Sequence, residues 1–179
     1  MSKAQKALFL DRDGVINIDY GYVYEIEKFE FTEGIFELLK LFIHQDYQLF
    51  IVTNQSGIGR GYYGEDDFQS LTSWMIKEFQ QRGIDRVSVE HCPHQPDALC
   101  SCRKPRTGMV EKITSKYAID LTNSWLIGDK QSDIDLANNA GIAHTIAVGD
   151  TLINEATYSF KTIQEVQLFL EENKAIIAS

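Results

Sequence analysis

The sequence predicts an α/β fold: a three-layer α/β/α, Rossmann-like sandwich around a mainly parallel sheet, with a small flap and a cysteine-bearing loop. Three observations carry this. Short apolar runs alternate with amphipathic helical stretches along the chain. Runs such as Ala7 to Leu10 and Leu49 to Val52 lack an in-out alternation, as strands covered on both faces should. Three runs end in polar residues, Asp11, Thr53 and Asp129, and parallel strands place such ends along one edge.

Taken in order, Ala7 to Leu10 reads as the first buried strand, delivering Asp11 to its carboxyl end. Gly14 permits a sharp turn just beyond. Residues 18 to 31 carry alternating Tyr20, Tyr22 and Tyr24, and are read as a hairpin flap or a solvated loop. Ile35, Leu38, Leu39, Phe42 and Ile43 recur at helical spacing. Leu49 to Val52 is the second strand, followed by a glycine-rich turn from Asn54 to Gly61. Glu65, Asp66 and Asp67 open a helix against its dipole, and Phe68, Leu71, Met75 and Phe79 form its buried stripe up to Gly83. Arg86 to Glu90 is the third strand. A helix over about residues 107 to 117 follows the cysteine loop. Trp125 to Asp129 is the fourth strand, and Ile134, Leu136 and Ala137 mark a short helix stopped near Gly141. Residues 142 to 148 give the fifth strand. Thr162 and Glu165 fit a capping box for a last helix carried by Val166, Leu168, Phe169 and Leu170.

A chain of 179 residues, 44% hydrophobic, suits one domain spanning 1–179. Its net charge of -9 argues against nucleic acid or an anionic membrane as partner. No apolar run approaches membrane-span length, and Met1 to Lys6 lead into a strand without a signal segment. The expectation is a cytoplasmic monomer. Its three cysteines, all within residues 92 to 102, look unlike a secreted disulfide framework.

The strand ends bring Asp11, Asp13 and Asp129 together, a cluster that needs a cation to offset its repulsion. Oxygen ligands favour a hard divalent ion, and magnesium is the natural choice. Lys104, in Cys102-Arg103-Lys104-Pro105, is placed to reach a phosphate beside that ion.

The ordered set of Asp11-Arg12-Asp13-Gly14-Val15-Ile16-Asn17, Thr53-Asn54-Gln55-Ser56-Gly57-Ile58, Cys102-Arg103-Lys104-Pro105 and Gly128-Asp129-Lys130 with Asp133 resembles the haloacid dehalogenase superfamily of phosphatases. Within it, these motifs resemble the D-glycero-D-manno-heptose 1,7-bisphosphate phosphatases, whose relatives include histidinol-phosphate phosphatases. The resemblance spans about residues 5 to 150. It implies that Asp11 attacks phosphorus to form an aspartyl phosphate and that Asp13 acts as general acid and then base. It implies magnesium held by the carboxylates of Asp11 and Asp129 and the Asp13 backbone carbonyl. Thr53, Asn54 and Lys104 would hold the transferring phosphoryl oxygens. Lys130 and Asp133 would steady the metal side. Asn54 would also contact the sugar, and Arg103 would meet a sugar oxygen or the second phosphate. The implied reaction removes the 7-phosphate of a heptose 1,7-bisphosphate in nucleotide-activated heptose synthesis, for lipopolysaccharide or another surface polysaccharide.

Cys92, His94, Cys100 and Cys102 supply three thiolates and an imidazole, a closed tetrahedral set for structural zinc. Such zinc would stiffen the loop presenting Arg103 and Lys104. The resembled phosphatases carry the same ligand types, but the spacer after His94 is short here. His91 is a rival ligand whose side chain should point away from that of Cys92. His44 and His144 are read as ordinary helix-end and strand residues.

Two alternatives stand beside this reading. One is a histidinol-phosphate phosphatase, against which the chain's end at Ser179 leaves no room for a fused dehydratase domain. The other is a zinc-stabilised binding module without catalysis, against which the acidic charge and the aspartate set count.

Overall fold

A computed structural model describes residues 3–178; Met1, Ser2 and Ser179, the tips of the polar lead-in and of the C-terminus, lie outside the described residues. Six strands form one sheet: β1 (Ala7–Leu10), β2 (Gln48–Asn54), β3 (Val87–Cys92), β4 (Trp125–Gly128), β5 (His144–Val148) and β6 (Tyr158–Phe160). Their order is β3-β2-β1-β4-β5-β6 and every pairing is parallel. The chain winds outward from β1 in one direction and then restarts at β4 in the other. The crevice where the order reverses lies at the carboxyl ends of β1 and β4.

Side chains of the inner strands β1, β2, β4 and β5 divide between two hydrophobic clusters, which is why both faces read as apolar. Leu8 and Leu10 of β1, Leu49 and Ile51 of β2, and Ile127 of β4 face one cluster. It is covered by α1 (Ile35–His44), and α3 (Glu65–Gln81) adds Leu71, Met75 and Phe79. Ala7, Phe9, Phe50, Val52 and Leu126 face the other cluster. There α4 (Gly108–Lys116) contributes Val110 and Ile113, and α5 (Gln131–Ala140) contributes Ile134 and Leu136. The remaining helices are the single turn α2 (Ser56–Gly59), α6 (Ile163–Glu172) and α7 (Ala175–Ala178). Val166 and Leu170 of α6 close the first cluster. Among the described residues no helix is long and apolar enough to cross a membrane.

Several expectations need correction. Strand β6 and helix α7 are additional, and the glycine-rich turn contains α2. Leu168 is exposed; Ile163, Val166 and Leu170 form the buried face of α6. At the start of α6, Thr162 Oγ1 accepts the Glu165 N–H as expected, but the Glu165 carboxylate receives the N–H of Lys161. The flap is no hairpin. It is a loop pinned at its base by the Ile18 N–H donating to the Glu30 carbonyl at 2.9 Å and by an isolated bridge between Asn17 and Phe31. Asp19 Oδ1 accepts the Gly21 N–H, turning the chain where tyrosine alternation would have continued a strand.

Candidate active site

Because β1 runs straight into Asp11, that carboxylate is fixed at the crevice and is 6% exposed. Its Oδ1 accepts the N–H of Arg12 at 2.8 Å and lies 2.9 Å from Lys104 Nζ. From β4, Gly128 leads to Asp129, and Asp133 sits one turn into α5. One oxygen from each of Asp11, Asp129 and Asp133 lies within 4.8 Å of the others. Asp133 has two tasks: its Oδ2 accepts the N–H groups of Asp129 and Lys130 at the start of α5, and its Oδ1 accepts from Lys104 Nζ at 2.7 Å.

The carboxylate cluster is therefore Asp11, Asp129 and Asp133, and not Asp11, Asp13 and Asp129 as the sequence suggests. The Asp13 side chain is claimed elsewhere. Arg12 Nη2 donates to it at 2.9 Å, Asn17 Nδ2 at 3.0 Å, and Gln55 Nε2 at 3.0 Å. Arg12 is 1% exposed, and a buried guanidinium requires an ionic partner. Asp13 is the one carboxylate paired with it among the described residues.

The cluster's electrostatics call for a cation. Burial, with Asp11 and Asp133 beside it, pushes the Asp129 carboxyl up to about 8. Asp129 Oδ1 is buried with no hydrogen-bond partner. Gly14 has φ +89°, and a Cβ there would lie 2.2 Å from Asp129 Oδ2, so the backbone leaves Asp129 its space. An unsatisfied carboxylate among two others, approached by bare backbone, fits a hard divalent ion. Lys104 is buried: desolvation works against its charge, but Asp11 and Asp133 more than reverse this and hold it above the usual lysine range.

The other expected residues lie around the same crevice. A cavity of about 340 Å³ opens there, with Asp11, Asp13, Asn54, Arg103, Lys104 and Lys130 in its wall. Asp129 and Gly14 border a neighbouring hollow of about 620 Å³ towards β5. Thr53 is fully buried at the end of β2, and its Oγ1 accepts from Gln55 Nε2. The Asn54 side chain is engaged with the Lys104 backbone: its Oδ1 accepts the Lys104 N–H at 3.0 Å, and its Nδ2 donates to the Lys104 carbonyl at 3.4 Å. Lys130 Nζ lies 3.9 Å from an oxygen of Asp19, across the crevice in the flap. Sequence reasoning missed Arg12, Asn17 and Gln55. Each lies inside a motif already quoted, and a charged or amide residue abutting a buried strand end was the available signal.

Cys92, at the end of β3, gathers with His94, Cys100 and Cys102 so that one ligand atom of each lies within 4.8 Å of the rest. The Cys92 sulfur is 3.8 Å from that of Cys100 and 3.0 Å from that of Cys102, and His94 Nδ1 is 3.4 Å from Cys92 Sγ. A tetrahedral zinc with bonds of about 2.3 Å spaces its sulfurs by about 3.8 Å, which the first pair meets and the second falls short of. Burial, then hydrogen bonding with Cys102, pushes the Cys92 thiol up to about 12, so its thiolate needs a cation's field. The donor set fits zinc. His91 turns away, its Nε2 3.0 Å from Glu65 and its ring stacked on Phe68.

This fold, with an aspartate ending β1, an aspartate pair after β4 and a buried lysine between them, defines a haloacid dehalogenase-like phosphatase. A HAD-hydrolase-like family model matches residues 101–159. The chain is 48% identical over 168 residues to a D-glycero-alpha-D-manno-heptose-1,7-bisphosphate 7-phosphatase of Campylobacter jejuni, covering 93% of this chain and 96% of that one. It is 45% identical over 142 residues to a D-glycero-beta-D-manno-heptose-1,7-bisphosphate 7-phosphatase of Helicobacter pylori, covering 79% and 82%. The crystal structure of D,D-heptose 1,7-bisphosphate phosphatase from B. bronchiseptica, complexed with magnesium and phosphate, superposes with a TM-score of 0.81 at 28% identity, covering 94% of this chain and 99% of that one. The chain belongs to the family of heptose-1,7-bisphosphate 7-phosphatases.

Proposed function

We propose that this enzyme removes the 7-phosphate of D-glycero-D-manno-heptose 1,7-bisphosphate to leave heptose 1-phosphate, in the synthesis of nucleotide-activated heptose. The observation that carries the reading is the convergence of Asp11, Asp129 and Asp133 on the buried Lys104, in a chain 48% identical to a phosphatase named for that substrate. Asp11 is the nucleophile: the Arg12 N–H and Lys104 hold one of its oxygens, which orients the carboxylate for attack on phosphorus. Asp13 protonates the departing sugar oxygen and then takes a proton from the attacking water. Thr53, the Asn54 backbone and Lys104 steady the phosphoryl oxygens. Asp11, Asp129 and the Asp13 carbonyl would hold magnesium, which would neutralise phosphoryl charge. Asp133 holds Lys104 and the turn after Asp129, and Lys130 faces Asp19 of the flap across the crevice. Arg103 meets the sugar or its second phosphate. The zinc set stiffens the loop that carries Arg103 and Lys104. A cytoplasmic monomer is the working form, a reading that rests on the acidic charge and the clustered thiols of the sequence.

Initial rates of phosphate release, with magnesium, on both anomers of the heptose bisphosphate and on histidinol phosphate test this. The reading requires a heptose bisphosphate to be the preferred substrate. A large preference for histidinol phosphate would replace it.

A further inference from the structure

Two routes, one hydrogen-bonded throughout and one that begins with a ring stack, run from the flap, residues 18 to 31, to the carboxylate of Asp13. In the first, Arg12 Nη2 donates both to the Val23 carbonyl at 2.6 Å and to Asp13 at 2.9 Å. The guanidinium is held between the flap and α3, with its Cζ 5.8 Å from the Phe29 ring centre and 6.0 Å from that of Phe68. It has little room to move independently of either ring.

In the second route, the flap's Tyr24 stacks on Tyr63, with centroids 4.9 Å apart and planes 12° from parallel. The Tyr63 hydroxyl donates to Gln55 Oε1. That hydrogen bond sets the orientation of the Gln55 amide, whose Nε2 donates to Asp13 Oδ2 at 3.0 Å. Gly57 permits the arrangement, because a Cβ there would lie 2.2 Å from a Tyr63 ring carbon. The two routes start from adjacent flap residues and meet at the half-buried carboxylate of Asp13.

We propose that Arg12 and Tyr63 are positioning residues that couple the placement of the Asp13 carboxylate to the flap. This rests on the reading of Asp13 as general acid. A flap displaced from its seat carries Val23 and Tyr24 with it. Arg12 then loses an acceptor, and Tyr63 loses the ring that fixes it. Asp13 is thereby freed from both of its tethers to the flap.

Single-turnover release of the leaving group tests the coupling, comparing heptose bisphosphate with p-nitrophenyl phosphate, whose phenolate departs without a proton. The ratio of the two rates does not depend on the fraction of enzyme that is active. Arg12→Lys and Tyr63→Phe are expected to lower that ratio about tenfold, within the range a positioned acid supplies. Tyr63→Phe keeps the ring stack and removes one hydroxyl, so it decides the matter even if Arg12→Lys does not fold. An unchanged ratio in Tyr63→Phe overturns the proposal. Asp13→Asn separates this from the underlying reading: if it leaves sugar release unimpaired, the acid assignment itself fails. If Asp13→Asn abolishes sugar release while the two positioning variants keep the wild-type ratio, only the coupling fails.

Discussion

Lys104 Nζ sits 2.9 Å from Asp11 and 2.7 Å from Asp133, with all three side chains buried. The ammonium also donates to the Val52 carbonyl at 2.8 Å, so each of its donors is engaged. One cation therefore joins the end of β1, the end of β2 and the first turn of α5. Removing it leaves two buried carboxylates without their partner. Lys104→Met should cost about 3–5 kcal/mol of stability in metal-free protein and abolish phosphate release. Urea denaturation in the presence of a chelator checks the first part. A loss below about 1 kcal/mol, the scale of an exposed pair, would show that the pair matters little.

Asp129 offers a sharper contrast, because it destabilises the metal-free fold. Its carboxyl is pushed up to about 8 by burial and by Asp11 and Asp133. The folded state therefore binds a proton that the unfolded chain, titrating near about 4, releases. Stability of the metal-free protein should fall as pH rises from about 4 to about 8. Asp129→Asn removes that dependence, so its advantage in Tm over the wild type should grow across the window. The same variant should lose the rise in Tm that magnesium gives the wild type. Thermal melts with chelator and with magnesium read both effects.

Gly14→Ala tests the approach of backbone to Asp129. A side chain there combines φ +89° with a 2.2 Å contact to Asp129 Oδ2. Backbone strain of this kind costs about 1–3 kcal/mol, and the displaced carboxylate should weaken magnesium binding. A magnesium titration followed by thermal shift should move to higher concentration. An unaltered titration would mean that Asp129 is no ligand.

The cysteine loop should carry about one zinc per chain, measurable by elemental analysis of purified protein. Cys102→Ser lies two residues before Lys104 and should lose the zinc and most of the activity, while β1 and β4 keep their packing. Zinc loss with full activity would separate the loop from the presentation of Arg103 and Lys104.

How far the sequence reaches depends on what each feature rests on. Asp11 and Asp129 were legible because apolar strands of both halves run unbroken into them and a parallel sheet gives those ends one edge. The cysteine and histidine set was legible because every thiol falls in one window. The direction of the Asp13 side chain was misread because it is set by Arg12, whose burial between Phe29 and Phe68 is a tertiary fact with no local pattern. Asp133 was undervalued for a related reason: its contact with Lys104 spans 29 residues. Strand β6 has three residues, too few for periodicity to register, and owes its place to pairing with β5. The flap's tyrosines alternate like a strand, but Tyr22 meets Tyr62 edge-on and Tyr24 stacks on Tyr63 instead of forming a ladder.

The central claim is that Asp11 carries the phosphoryl group. Acid quench of the enzyme during turnover of heptose bisphosphate, followed by borohydride reduction and peptide mass analysis, tests it most directly. The account predicts conversion of Asp11 to homoserine, dependent on substrate. Reduction at another carboxylate, or none at any residue while phosphate is still released, would contradict it.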